Sequence, residues 1–117
     1  MDNYIRVYEN AFSNELCDRL INKFESTPIS NRERHDMGEM HFSQVNFRAC
    51  GWKEEQDELV NIFLSHTKKY TSDLNITSEF PQKYALEDIR LKKYMPDGHD
   101  QFGPHVDVVD KSTSTRF

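Results

Sequence analysis

The chain has 117 residues, 36% hydrophobic and 30% charged, with a formal net charge of -5; that length holds one domain at most. Eight Phe, five Tyr and one Trp can seed a core, which excludes wholesale disorder. The negative balance argues against non-specific nucleic-acid binding, which rests on phosphate neutralisation by Lys and Arg, and no apolar run approaches the length that spans a bilayer.

Met1-Asp2-Asn3-Tyr4 lacks the basic and apolar regions of a signal peptide. Cys17 and Cys50 show no CxxC spacing. They read as reduced thiols of a cytoplasmic protein, with a single disulfide as the alternative. Tyr4 to Tyr8 alternates and is rich in β-branched and aromatic residues, which predicts a short strand. Ser13 then caps a predicted helix over about 14-25. Leu16, Cys17, Leu20, Ile21 and Phe24 form its apolar stripe. From Glu25 to Glu39 the chain is polar, carries Pro28 and Gly38, and reads as a loop; His35-Asp36 within it is a weak metal candidate.

Met40 to Arg48 returns to strand content, but Phe42, Val45 and Phe47 change phase midway. That predicts a bulge or two short strands. Gly51-Trp52 marks a turn before a second amphipathic helix over about 54-72. Leu59, Ile62, Phe63, His66 and Tyr70 share its stripe, so His66 is expected to be a satisfied, partly buried histidine. After an irregular connection, Leu86 to Met95 alternates as a strand, with Ile89, Leu91, Lys93 and Met95 on one face and Arg90, Lys92 and Tyr94 on the other. Pro96-Asp97-Gly98 breaks it, and a return strand is expected from Phe102 or Gly103. The prediction is a hairpin over 86-110 with chemistry on its second strand.

That second strand carries His105-Val106-Asp107. Residues two apart on a strand share a face. An imidazole and a carboxylate so placed are two of the three ligands of a 2-His-1-carboxylate iron site. A lone His-x-Asp is a weak signal, and the context adds weight. Gly103 permits close approach of a ligand or backbone, and Pro104 is tolerated at a strand's start.

The run Ile89 to Gly98, followed by Phe102-Gly103-Pro104-His105-Val106-Asp107, resembles the metal-binding segment of the prolyl 4-hydroxylase type of Fe(II)/2-oxoglutarate-dependent dioxygenases. The strand and Ser-capped helix of Tyr4 to Phe24 are similar to that family's opening element. The resemblance implies an α+β fold: the N-terminal part of a double-stranded β-helix, or jelly roll, with two backing helices. It implies Fe(II) held by His105 and Asp107, 2-oxoglutarate as cosubstrate, and ascorbate among the small molecules bound. Tyr94 would face the 2-oxoglutarate pocket, Phe102 would line it, and Arg116 would open the next core strand. The substrate class would be a prolyl or other amino-acid side chain of a peptide, or a small molecule.

In that family the second histidine and the cation that pairs with the distal carboxylate lie well downstream of the His-x-Asp. Residues 1-117 therefore read as a partial domain, apparently truncated and incomplete for catalysis. His41 and His99 are the remaining candidates to complete the triad. Only four or five strands are predicted, against about eight in a jelly roll, so an open sheet edge and self-association through it are expected. Two other readings stand beside this one: a non-catalytic binding module that keeps half the fold, and a cupin-like or zinc protein using His105 and Asp107.

Overall fold

The structure, a computed structural model, describes residues 3-107. The expected return strand beyond Asp107, the loop that follows it and Arg116 lie outside the described residues. Two α-helices accompany a four-stranded antiparallel sheet: α1 (Asn14–Ser26), β1 (Glu33–Met37), β2 (Met40–Asn46), α2 (Lys53–Asp73), β3 (Arg90–Lys93) and β4 (Gln101–Phe102). Short 3-10 turns occupy Ile29–Asn31 and Thr77–Glu79. The α+β class and both helices are as expected.

Helix α1 starts where Ser13 predicts. The Ser13 hydroxyl accepts a hydrogen bond from the Leu16 amide at 3.0 Å, satisfying one of the amides that a helix start leaves unpaired. Leu16, Leu20 and Phe24 are buried, and they form the core with Val45, Phe47 and Trp52. Leu59 and Ile62 of α2 and Ile89 and Leu91 pack against that cluster. Ile21, expected on the same stripe, is 57% exposed. The two helices are linked by the ion pairs Arg19–Glu58 and Lys23–Glu55.

The predicted strand over Tyr4 to Tyr8 does not join the sheet. The segment lies along α2: the Tyr70 hydroxyl donates to the Tyr4 carbonyl at 2.6 Å, the Tyr8 hydroxyl donates to Asp73, and the Tyr8 ring meets His66 edge-on. Helix α2 offered contacts to the aromatic side chains, and they outweigh the local strand propensity. His66 donates through Nδ1 to the Ile62 carbonyl at 2.8 Å, so it is the satisfied histidine its place on the stripe suggests. Cys17 and Cys50 are free thiols.

The loop expected over Glu25 to Glu39 contains a strand. β1 pairs with β2 from Glu33↔Gln44 to Met37↔Met40, closing a hairpin through Gly38 and Glu39. Gly38 has a φ of 59°, the left-handed backbone that a two-residue hairpin loop needs and glycine adopts without strain.

β2 is one unbroken strand rather than a bulged one. Its phase change has another origin: β2 is central and covered on both faces. Phe42 is buried on one face and Val45 on the other, at 2% and 0% exposure.

β3 and β4 are not a hairpin with one another. β3 pairs with Ser43 to Asn46 of β2 and β4 pairs with Met40 and His41. The two strands lie end to end along one edge of β2, opposite β1. Tyr94 to Asp100 is an excursion between them. The expected strand over 86-95 is thus shortened to Arg90–Lys93; at its C-terminal end Pro96 and the turn that follows take the chain off the sheet before it docks again.

Candidate functional site

The sheet has two chemically different faces. Alternation along β2 puts Phe42 and Gln44 on one face and His41, Ser43 and Val45 on the other. The Val45 face is covered by α1. On the Phe42 face the Phe42 ring stacks with Phe102, their centroids 5.5 Å apart, and also meets His35 at 4.9 Å and Tyr94 at 5.4 Å. The Lys92 ammonium lies over both rings, 4.7 Å from Phe42 and 4.6 Å from Phe102, a cation–π arrangement. Tyr94 and Phe102, both expected at the site, are therefore on one face, and Lys92 stands with them.

His105 belongs to the same face. Its ring stacks on Phe102 with centroids 4.2 Å apart. Nδ1 lies 2.9 Å from the Gly103 carbonyl, which can only accept, so Nδ1 carries the proton. In the neutral ring Nε2 is then a lone pair. It sits 3.1 Å from Oδ1 of Asp107, another acceptor. Two such atoms at that distance are placed to share one cation.

The expected route to this pairing differs from the one found. β4 ends at Phe102, so His105 and Asp107 lie beyond it and meet through the local turn of the chain. Both are open to solvent, with side chains 46% and 89% exposed. Gly103 is the hinge. Its amide donates to the Glu39 carbonyl at 3.0 Å, and a Cβ built there would lie 2.7 Å from Glu39 Cβ. The space beside this glycine is filled by the Glu39 side chain.

The other histidines are placed elsewhere. His41, on the Val45 face of β2, has Nδ1 at 3.1 Å from Asp36 Oδ1 and its ring 4.5 Å from that of His99. Asp36, His41 and His99 bring one ligand atom each to within 4.8 Å of one another. Neither His41 nor His99 joins His105, and among the described residues no third metal-binding side chain gathers at His105 and Asp107. His35 packs flat on Phe42.

Two residues that sequence reasoning passed over organise this end of the sheet. Arg34 binds Asp36 through both carboxylate oxygens, at 2.9 and 2.8 Å, and reaches Asp100 at 2.8 Å. The Asp100 side chain is only 3% exposed and also accepts from the Met95 amide at 2.8 Å, so it closes the excursion. The Arg34 guanidinium, with His41 beside it, holds the Asp36 carboxyl well below the usual carboxylate range. Arg34 and then the Met95 amide lower Asp100 as well. Asp97-Gly98-His99-Asp100 carries turn residues but nothing that singles out Asp100 from Asp97.

A separate apolar cleft of about 520 Å³ lies between α2 and the segment 86-89, lined by Phe12, Leu59, Ile62 and Phe63 among others. Its one imidazole, His66, is already engaged with Ile62. No helix among the described residues is long and apolar enough to cross a membrane. Comparison with protein-family models, curated proteins and solved structures finds no match.

Proposed function

We propose that the chain is part of an Fe(II)- and 2-oxoglutarate-dependent dioxygenase of the prolyl 4-hydroxylase type, acting on a prolyl or other amino-acid side chain or on a small molecule. The observation that carries the reading is the His105–Asp107 pair: Nε2 and Oδ1 are 3.1 Å apart and Nδ1 is tied to a backbone carbonyl. Neighbouring ligands of an octahedral ion with bonds of about 2.1 Å stand about 3 Å apart. A ligating imidazole commonly donates its other N–H to a carbonyl or carboxylate, which fixes the tautomer. The residues present therefore fit two positions of the iron.

In this reading the four-stranded sheet is one layer of a jelly roll, and the Phe42 face is the inner one. His105 would ligate through Nε2 and Asp107 through Oδ1. When bound, Fe(II) and 2-oxoglutarate supply the oxidising chemistry. Phe102 holds the His105 ring, Tyr94 offers a hydroxyl donor to a carboxylate, and Lys92 keeps a positive charge on the face that an anionic cosubstrate would approach. Ascorbate would serve as a companion reductant. The reading needs a third ligand and a cation for the distal carboxylate, and the resemblance expects both downstream of Asp107.

The test is succinate formation by the intact protein given Fe(II), 2-oxoglutarate and ascorbate. His105→Ala and Asp107→Ala should each abolish it; turnover intact in both variants would remove the site assignment. A second reading, a non-catalytic binding module, is favoured by the exposure of Asp107 and the two-ligand set. It expects no saturable Fe(II) binding by the intact protein.

A further inference from the structure

We propose that Asp36, His41 and His99 form a second metal site, for a late first-row divalent ion such as Zn²⁺, which clips the β1–β2 hairpin to the excursion between β3 and β4. The three residues come from three segments: Asp36 from β1, His41 from β2 and His99 from the excursion. Their ligand atoms lie within 4.8 Å of one another. Two imidazoles and one carboxylate form a donor set that suits zinc, with water completing a tetrahedron at an exposed position.

The local bonding prepares the site. His41 Nε2 is 2.9 Å from the Gly38 carbonyl, which makes it the donor and leaves Nδ1 as the lone pair in the neutral ring. That nitrogen stands 3.1 Å from Asp36 Oδ1, close to the spacing of two ligands on one ion. Arg34 grips the Asp36 carboxylate in the manner of the outer hydrogen bonds that orient a ligating carboxylate. The His99 amide donates to Asp97 Oδ1 at 2.9 Å, which fixes the turn that brings the His99 ring beside His41. A small ion needs the three atoms to close to about 3.3 Å, which side-chain rotation of the exposed His99 supplies.

The site is independent of the dioxygenase reading, because it lies on the other face of β2 and shares no residue with the His105–Asp107 pair. The experiment is Zn²⁺ titration of the intact protein by calorimetry, repeated with Co²⁺ for its visible absorption spectrum. The expected result is one Zn²⁺ bound at these residues, with affinity weakened at least about tenfold by His99→Ala and by His41→Ala and unchanged at this site by His105→Ala. The thermal midpoint should rise with Zn²⁺ in the wild type and not in His99→Ala. Since His99 is exposed, that variant keeps the fold, and its circular dichroism spectrum verifies this. Absence of saturable binding up to about millimolar Zn²⁺, or unaltered binding in His99→Ala, or loss of all binding in His105→Ala, overturns the proposal.

Discussion

At the scale of single residues, Gly103 controls how the His105 turn joins the sheet. An added methyl there would lie 2.7 Å from Glu39 Cβ and 2.1 Å from Glu39 Oε2. The carboxylate can swing away, but Glu39 Cβ moves only with its backbone, and that backbone accepts the Gly103 hydrogen bond. Gly103→Ala should therefore cost about 1–3 kcal/mol, the usual range for a forced overpacking, read as a lower urea midpoint. It should also expose the Gly103 amide to faster hydrogen exchange. An unchanged midpoint and unchanged exchange would show that the Glu39 contact is dispensable. The meeting of His105 with Asp107 was legible in the sequence because two such residues at a short fixed spacing are a local signal. Arg34 and Asp100 were not, because an ion pair between residues far apart in sequence leaves no mark on either neighbourhood.

At the scale of elements, α1 is held by one stripe. Leu20 is 5% exposed and packs in the cluster with Val45, Phe47 and Trp52. Leu20→Ala should cost about 2–5 kcal/mol through lost burial and a residual cavity. A urea titration with an unchanged slope would report it as stability alone, and a loss below about 1 kcal/mol would mean the helix is not seated as described.

Both helices were readable because amphipathic stripes repeat over several turns and Ser13 marks a start. β1 was not, because Glu33-Arg34-His35-Asp36-Met37 has no apolar alternation; it is a strand only because β2 lies beside it. The two-residue step between Met37 and Met40, with Gly38 at its first position, was the available hairpin signal. The charges of β1 also sit on an outer edge, where they discourage pairing with another sheet. β2 misled for the opposite reason: a strand buried on both faces loses its two-residue rhythm. The apparent hairpin over 86-110 failed since two strands separated by a turn need not pair together when a third strand offers both a partner.

For the whole molecule, acid sensitivity follows from paired carboxylates. Asp36 and Asp100 are lowered chiefly by Arg34, Asp73 by Lys69 and Glu25 by Lys93. Each folded-state value lies below the unfolded one, which is about 4. These groups therefore add stability fully above about pH 5, and they lose it as pH falls through the unfolded value toward the folded ones. Thermal midpoints should be flat from about pH 5 to 7 and fall below about pH 4. The Arg34→Met variant should show a shallower fall, since two of the four carboxylates lose their main partner. An equally steep fall in that variant would place the acid response elsewhere. Added salt should reduce the contribution of the exposed pairs Lys69–Asp73 and Lys93–Glu25.

The end-to-end docking of β3 and β4 on one strand has a consequence for how the chain can vary. The segment from Tyr94 to Asp100 leaves the sheet and returns to the same edge, so both its feet are anchored independently of its length. Closing a longer loop between fixed feet costs little, about 0.6 kcal/mol for each doubling. Residues can therefore be gained or lost around Gly98 without displacing Phe102 or the turn that follows it. β2 has no such tolerance: one added residue between Phe42 and Val45 would exchange the chain's two faces. Variation in length is thus channelled into the excursion, beside the His105 turn and outside the strands that position it, while the same variation would move His99 and with it the proposed metal clip.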